Sequence, residues 1–152
     1  MIRIGPKALY VLLDANLLLY SVDGSSRHHG RCLEWVSSAF GGQRRIALPW
    51  QTIGAFLRIS THPRVSSRPL TIEDAWAAVE QWLAAPVCWV PAATDATAQI
   101  LGDLVRRTDA RGNLVTDAQL AALAIEHGLS VVSVDSDFAR FPGLRWTNPL
   151  ID

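Results

Sequence analysis

Three aspartates stand where an α/β chain commonly places its chemistry. Asp14 ends the apolar run ALYVLL at residues 8–13, Asp135 ends a second run at residues 129–134, and Asp117 stands at the mouth of a long apolar helix pattern. In an open parallel sheet, ligands gather beyond the carboxyl ends of the strands, so the two strand-end acids point to one edge, with Asp117 joining them if its loop lies there too. Three carboxylates so gathered repel one another. Two unit charges ~4 Å apart at an effective dielectric of ~20 cost about 4 kcal/mol. Either a carboxyl protonates with a raised pKa, or a hard divalent cation binds, and oxygen-only ligation with an open face suits Mg2+ or Mn2+. Such an ion keeps several waters, can activate one against a phosphodiester and stabilises charge on the phosphate, which makes hydrolysis the expected reaction. An Asp at a helix start is ordinarily only a cap. One that ends a buried strand is harder to explain that way.

The elements that must position these acids follow from the pattern of apolar residues. Residues 8–13 are too short for an ordinary helix and read as a strand buried on both faces. LLLYSV after Asn16 reads as a short helix, and Cys32, Leu33, Val36, Ala39 and Phe40 keep helical spacing up to Gly41-Gly42. A short strand at residues 46–48 leads through Pro49 to a helix over residues 50–61. Thr71 and Asp74 mark the next helix start, which runs to about Ala85, and residues 87–90 form another strand. A helix covers residues 94–107, and a further one is expected from Asp117 to Gly128. The strand at residues 129–134 follows, then a helical turn at residues 138–141 and an edge strand at residues 144–146. Strands alternating with long helical spans predict an α/β fold, a three-layer α/β/α arrangement around a mainly parallel sheet. The whole chain, residues 1–152, reads as one domain, since nothing marks a linker or repeat.

Composition narrows the function classes. With 49% hydrophobic and 18% charged residues the chain is no disordered segment. The 14 basic and 14 acidic residues leave no whole-protein field to draw in nucleic acid. Lys7 is the single lysine among those basic residues. The arginines suit bidentate phosphate contact, although codon bias explains the same count. Cys32 and Cys88 lack metal-ligand spacing and read as buried thiols. No signal peptide or membrane span is apparent, so the expected location is cytoplasmic, with no membrane partner.

Around the acids, Asn16 could orient Asp14, bond substrate or cap the following helix. Ser133 lies two residues before Asp135, so strand alternation turns both to one face. Thr116 could bind phosphate beside Asp117 or cap its helix. Arg58, Arg64 and Arg111 are candidate phosphate contacts against a default of solvated surface. His28 and His29, adjacent on a helix, point about 100° apart and do not suit a shared ion. Trp35, Trp76 and Trp82 have the spacing of core or dimer residues, while Trp50 and Trp146 remain interface candidates.

At these residues the chain resembles the PIN-domain family, and within it the VapC-type toxins of bacterial toxin–antitoxin pairs. The matching pieces are VLLDANLLLYSVD, FLRISTHPR, GNLVTDAQLAALAIEHG and VVSVDSDFARFPGLRWTNPL, in family order along nearly the whole chain. The resemblance implies a Mg2+- or Mn2+-dependent endoribonuclease that cuts a structured RNA such as tRNA or ribosomal RNA, usually a homodimer, held inactive by a cognate antitoxin. It implies Asp14 as the first acid, Asp117 as the third and Asp135 as the fourth, with Asp137 as a neighbouring helper. The family's second acid, a Glu before Phe-Leu-Arg, is replaced here by Gly54-Ala55. That departure implies weaker metal binding, a shift towards Mn2+, or a non-catalytic PIN-like binding module, with Glu34 and Asp95 as the acids able to fill the gap. A phosphoaspartyl enzyme is the third reading. It fits less well, because the lysine such a receiver needs is represented only by Lys7, ahead of the first strand, and Asn16 stands where a phosphatase needs a second Asp.

Overall fold

The structure, a computed structural model, describes residues 10–151. Five short strands build its sheet: β1 (Val11–Leu13), β2 (Ile46–Ala47), β3 (Cys88–Trp89), β4 (Ser130–Val132) and β5 (Arg145–Thr147). The expected first strand began at Ala8, and Ala8 and Leu9 lie outside the described residues. The order is β3-β2-β1-β4-β5 and every pairing is parallel, so the expectation of a mainly parallel sheet is met in full. From β1 the chain builds outward through β2 and β3, then crosses back to place β4 on the other side of β1. The two strands that end in Asp14 and near Asp135 are therefore neighbours, in register from Val11↔Ser130 to Leu13↔Val132. Their carboxyl ends flank the point where the winding direction reverses, where a crevice opens in this type of sheet.

Six helices cover the two faces among the described residues: α1 (Ala15–Val22), α2 (His29–Phe40), α3 (Trp50–Ser60), α4 (Ile72–Ala84), α5 (Asp95–Thr108) and α6 (Asn113–His127). Strand alternation divides the core. Val11, Leu13, Ile46 and Val132 pack with Leu17, Leu18, Cys32, Val36, Phe56, Val79 and Trp82 of α1 to α4. Leu12, Ala47 and Val131 face the other way, onto Leu104 of α5, the alanine-rich face of α6, Phe138 and Phe141. Burying a large apolar side chain stabilises the fold by roughly 1.5–3 kcal/mol, so β1, β2 and β4 are clamped from both sides despite their length. Trp82 meets Phe56 edge-on at 4.9 Å, which settles its core role, whereas Trp50 and Trp76 stay exposed. Both cysteines are free thiols, Cys32 buried and Cys88 half-buried.

The helix starts follow their residue chemistry. Thr71 accepts from the Asp74 backbone N–H at 3.1 Å, and Thr94 caps α5 with Thr97 returning the bond in a capping box. α6 departs from the sequence expectation. It begins at Asn113, behind Gly112 with φ of 57°, and not at Asp117. Gly112 takes this positive φ at no steric cost, and Leu114, one turn before Ala118, extends the apolar face upstream into the core.

Candidate metal centre

Asp14 directly follows β1 and caps α1, its Oδ1 accepting from the Ala15 N–H at 2.8 Å. Its backbone N–H still reaches Val132 O at 3.1 Å, so the sheet ladder holds the residue in place. Thr52 of α3 donates to Leu13 O at 2.6 Å and closes the strand end from the other side. Asp135 follows β4 and caps a short 3-10 turn, Ser136–Arg140, by accepting from the Asp137 N–H at 2.9 Å.

Ser133, fully buried, joins the two strand ends. Its hydroxyl donates to Asp14 Oδ2 at 2.7 Å and accepts from the Asp135 N–H at 3.0 Å and from Asn16 Nδ2 at 3.0 Å. Asn16 also donates to Asp14 Oδ2 at 3.3 Å, and its Oδ1 accepts from the Val134 N–H at 3.4 Å. The expected support roles of Ser133 and Asn16 thus coincide in one network. Ser133 is fixed in turn by β5, its N–H bonding Thr147 O and its carbonyl accepting the Trp146 indole N–H at 2.9 Å.

Asp117 reaches the same crevice from the second turn of α6. Carboxylate oxygens of Asp117, Asp135 and Asp137 all lie within 4.8 Å of one another. Asp117 is no helix cap, nor is Thr116, which is exposed and on the fourth residue of the helix. The caps are Asp14 and Asp135, the two acids whose strand-end positions argued against that role. The tight group also promotes Asp137 from a neighbouring helper to a full member, while Asp14 stands beside it through Ser133.

The electrostatics follow from this packing. Burial raises the Asp14 pKa above its ordinary value, the Ser133 and Ala15 hydrogen bonds pull it back, and Asp135 pushes it up again. Asp117 accepts no hydrogen bond from a described residue. Burial first, then the charges of Asp135, Asp14 and Asp137, push it up to about 7. Among the described residues these four carboxylates have a single cationic partner, Arg140, whose Nε lies 3.6 Å from Asp137 Oδ1. Sequence reasoning passed over that arginine; its position three residues after Asp137, on one face of a tight turn, was the available signal.

Other candidates do not join the group. Arg111 pairs with Asp109 at 2.9 Å in the loop before α6, and exposed Arg58 on α3 makes no ion pair with a described residue. Among the described residues the exposed Arg64 bonds only through its backbone N–H, to His62 Nδ1. His29 bonds Tyr20 O while His28 packs on the Tyr20 ring, so the pair shares no ligand geometry. Gly54 is exposed and Ala55 half-buried on α3, with open space around a Cβ at Gly54. Neither Glu34, exposed on α2, nor Asp95, exposed at the start of α5, fills the gap left there.

The donor set fits a hard divalent ion: oxygen ligands only, excess negative charge, and one acid driven towards neutral pH by burial and then by its neighbours' charges. A parallel α/β/α sheet carrying an acidic group at its winding reversal defines the class to which the chain can be compared. The PIN domain matches residues 11–144. Ribonuclease VapC37 of Mycobacterium tuberculosis is 44% identical over 138 residues, covering 91% of this chain and 96% of that protein. Ribonuclease VapC33 of the same species is 39% identical over 140 residues, covering 92% and 98%. Among solved structures, VapBC2 from Rickettsia felis bound to a promoter DNA fragment superposes with a TM-score of 0.64 at 17% identity, covering 91% of this chain and 98% of that one. VapC20 of Mycobacterium tuberculosis, described as a sarcin-ricin loop cleaving toxin, gives 0.62 at 18% identity, covering 89% and 98%. This chain belongs to the PIN-domain family and, within it, to the VapC group.

Proposed function

We propose that the protein is a divalent-metal-dependent endoribonuclease of the toxin type, active on a structured RNA. The observation that carries this reading is the gathering of Asp14, Asp117, Asp135 and Asp137 at the end of β1 and β4 with one arginine to offset them. The names of the relatives, ribonucleases at 44% and 39% identity, support RNA as substrate, and VapC20's described target supports a structured one. Asp14, Asp117 and Asp135 would hold the ion, Mg2+ or Mn2+, with Asp137 completing the acidic wall. The bound ion would supply a water of lowered pKa and stabilise negative charge on the phosphate. Ser133 and Asn16 hold Asp14 in one orientation, as supporting hydrogen bonds do for metal-ligating carboxylates. Arg58, Arg111 and Thr116 are assigned to substrate contact on exposure alone.

An antitoxin partner is part of this proposal, supported by the VapBC complexes among the structural neighbours, as are a homodimer and a cytoplasmic location. No helix among the described residues is long and apolar enough to cross a membrane. Purified protein incubated with total RNA should cut in Mg2+ or Mn2+ and stop in EDTA. No cut under any ion, with Asp14→Asn indistinguishable from wild type, would sink the reading.

One observation favours a second reading. Gly54 and Ala55 stand where the expected second acid is missing, and a binding module without catalysis needs no complete acid set. That module would take up no Mn2+ at millimolar concentration, so a calorimetric titration separates the two.

A further inference from the structure

Arg140 is the one guanidinium, among the described residues, whose ion-pair partner is an acid of the cluster. Arg107 turns its Nη1 to Asp103 and Arg111 its Nη2 to Asp109, both outside the crevice. Arg140 instead offers Nε to Asp137, 3.6 Å away within the same 3-10 turn, and its two terminal nitrogens bond no described residue. Its side chain is 62% exposed, so those nitrogens face solvent at the rim of the crevice. The planar end of a guanidinium is the geometry that grips two phosphate oxygens at once.

We propose that Arg140 exchanges partners during the reaction cycle: it pairs with Asp137 in the ion-free protein and moves to an RNA phosphate once an ion occupies the cluster. This rests on the ribonuclease reading. The ion and the guanidinium compete for the negative charge of one cluster, to which Asp137 contributes, so Arg140 works against ion uptake. Displaced from Asp137, it remains tethered three residues away and faces the incoming backbone. The same residue thus weakens one binding step and strengthens the next, an opposition that an ordinary surface ion pair does not produce.

Mn2+ titration by calorimetry without RNA, and the apparent KM for total RNA at saturating Mn2+, read the two steps separately. Arg140→Ala should bind Mn2+ about fivefold tighter and raise KM about fivefold, magnitudes set by an exposed charge. Arg140→Lys, which keeps the charge without the fork, should leave Mn2+ affinity near wild type and raise KM by a smaller factor. Unchanged constants in Arg140→Ala, or Mn2+ binding that weakens along with RNA, would overturn the proposal while leaving the ribonuclease reading intact. A wild-type protein that neither binds Mn2+ nor cuts RNA would overturn both.

Discussion

Asp14 and Asp117 serve one cluster from different elements, and the chain treats them in opposite ways. Asp14 is over-determined: the strand ladder, the Ala15 N–H, Ser133 and Asn16 all fix it. Asp117 has its helix for support and three like charges for company, with no donor. One acid supplies position and the other supplies stored repulsion. A site built from both is geometrically ready for a cation and electrostatically short of one.

The largest expected effect tests whether both halves are needed. Asp14→Asn and Asp117→Asn should each lower metal-dependent RNA cleavage by about a thousandfold, since each removes a charged ligand of the ion. A gel-based rate that falls for one and not the other would assign the ion to half the cluster.

Stability should split the pair more sharply. Asp117 keeps its proton to about pH 7 in the folded chain but releases it near 3.8 when unfolded. Between these values the folded state binds more protons, so this group's contribution to stability declines as pH rises through the window. Asp117→Asn should therefore stabilise the ion-free protein at pH 8 by on the order of 2 kcal/mol, after allowance for solvent screening, and by much less at pH 4. Asp14→Ala should do the reverse and cost about 1–3 kcal/mol, because it strands the buried Ser133 hydroxyl and the Ala15 N–H. Urea melts of the two variants at both pH values check the signs.

Ser133→Ala probes the link between the strand ends. Mn2+ affinity should fall about tenfold, as for other lost supporting hydrogen bonds, with all four acids still present. Equal affinity in calorimetry would mean that β1 and β4 orient the acids unaided. The smallest effect is expected from Arg111→Ala, which removes an exposed pair outside the cluster and should change KM for RNA by about twofold at most.

The sequence carried the sheet and the crevice because buried parallel strands announce themselves as apolar runs, and two of these runs end in Asp. Ser133 was legible by its place two residues before Asp135, although β4 ends at Val132 and a turn, with the Asp135 N–H donating to Ser133 Oγ, joins the two in place of strand alternation. The start of α6 was not. Asn113, Val115 and Thr116 are indifferent helix formers, and only Leu114 at helical spacing from Ala118 hinted that the helix begins a turn earlier. That shift reversed the reading of caps: Asp14 and Asp135 cap, and Asp117 does not. Asp137 gained rank because the 3-10 turn brings its carboxylate to Asp135 and Asp117, a geometry that spacing alone does not encode. Arg140 was missed because the expected turn began at Phe138, which left Asp137 outside it and hid the three-residue spacing of the pair.

The central claim, that these acids form a divalent-cation site, is tested most directly by electron paramagnetic resonance of Mn2+ added to the purified protein at pH 8. Wild type should deplete the free-ion signal with saturable stoichiometry, and Asp117→Asn should restore it. A free-ion signal undiminished by wild type, or depleted equally by Asp117→Asn, would contradict the account.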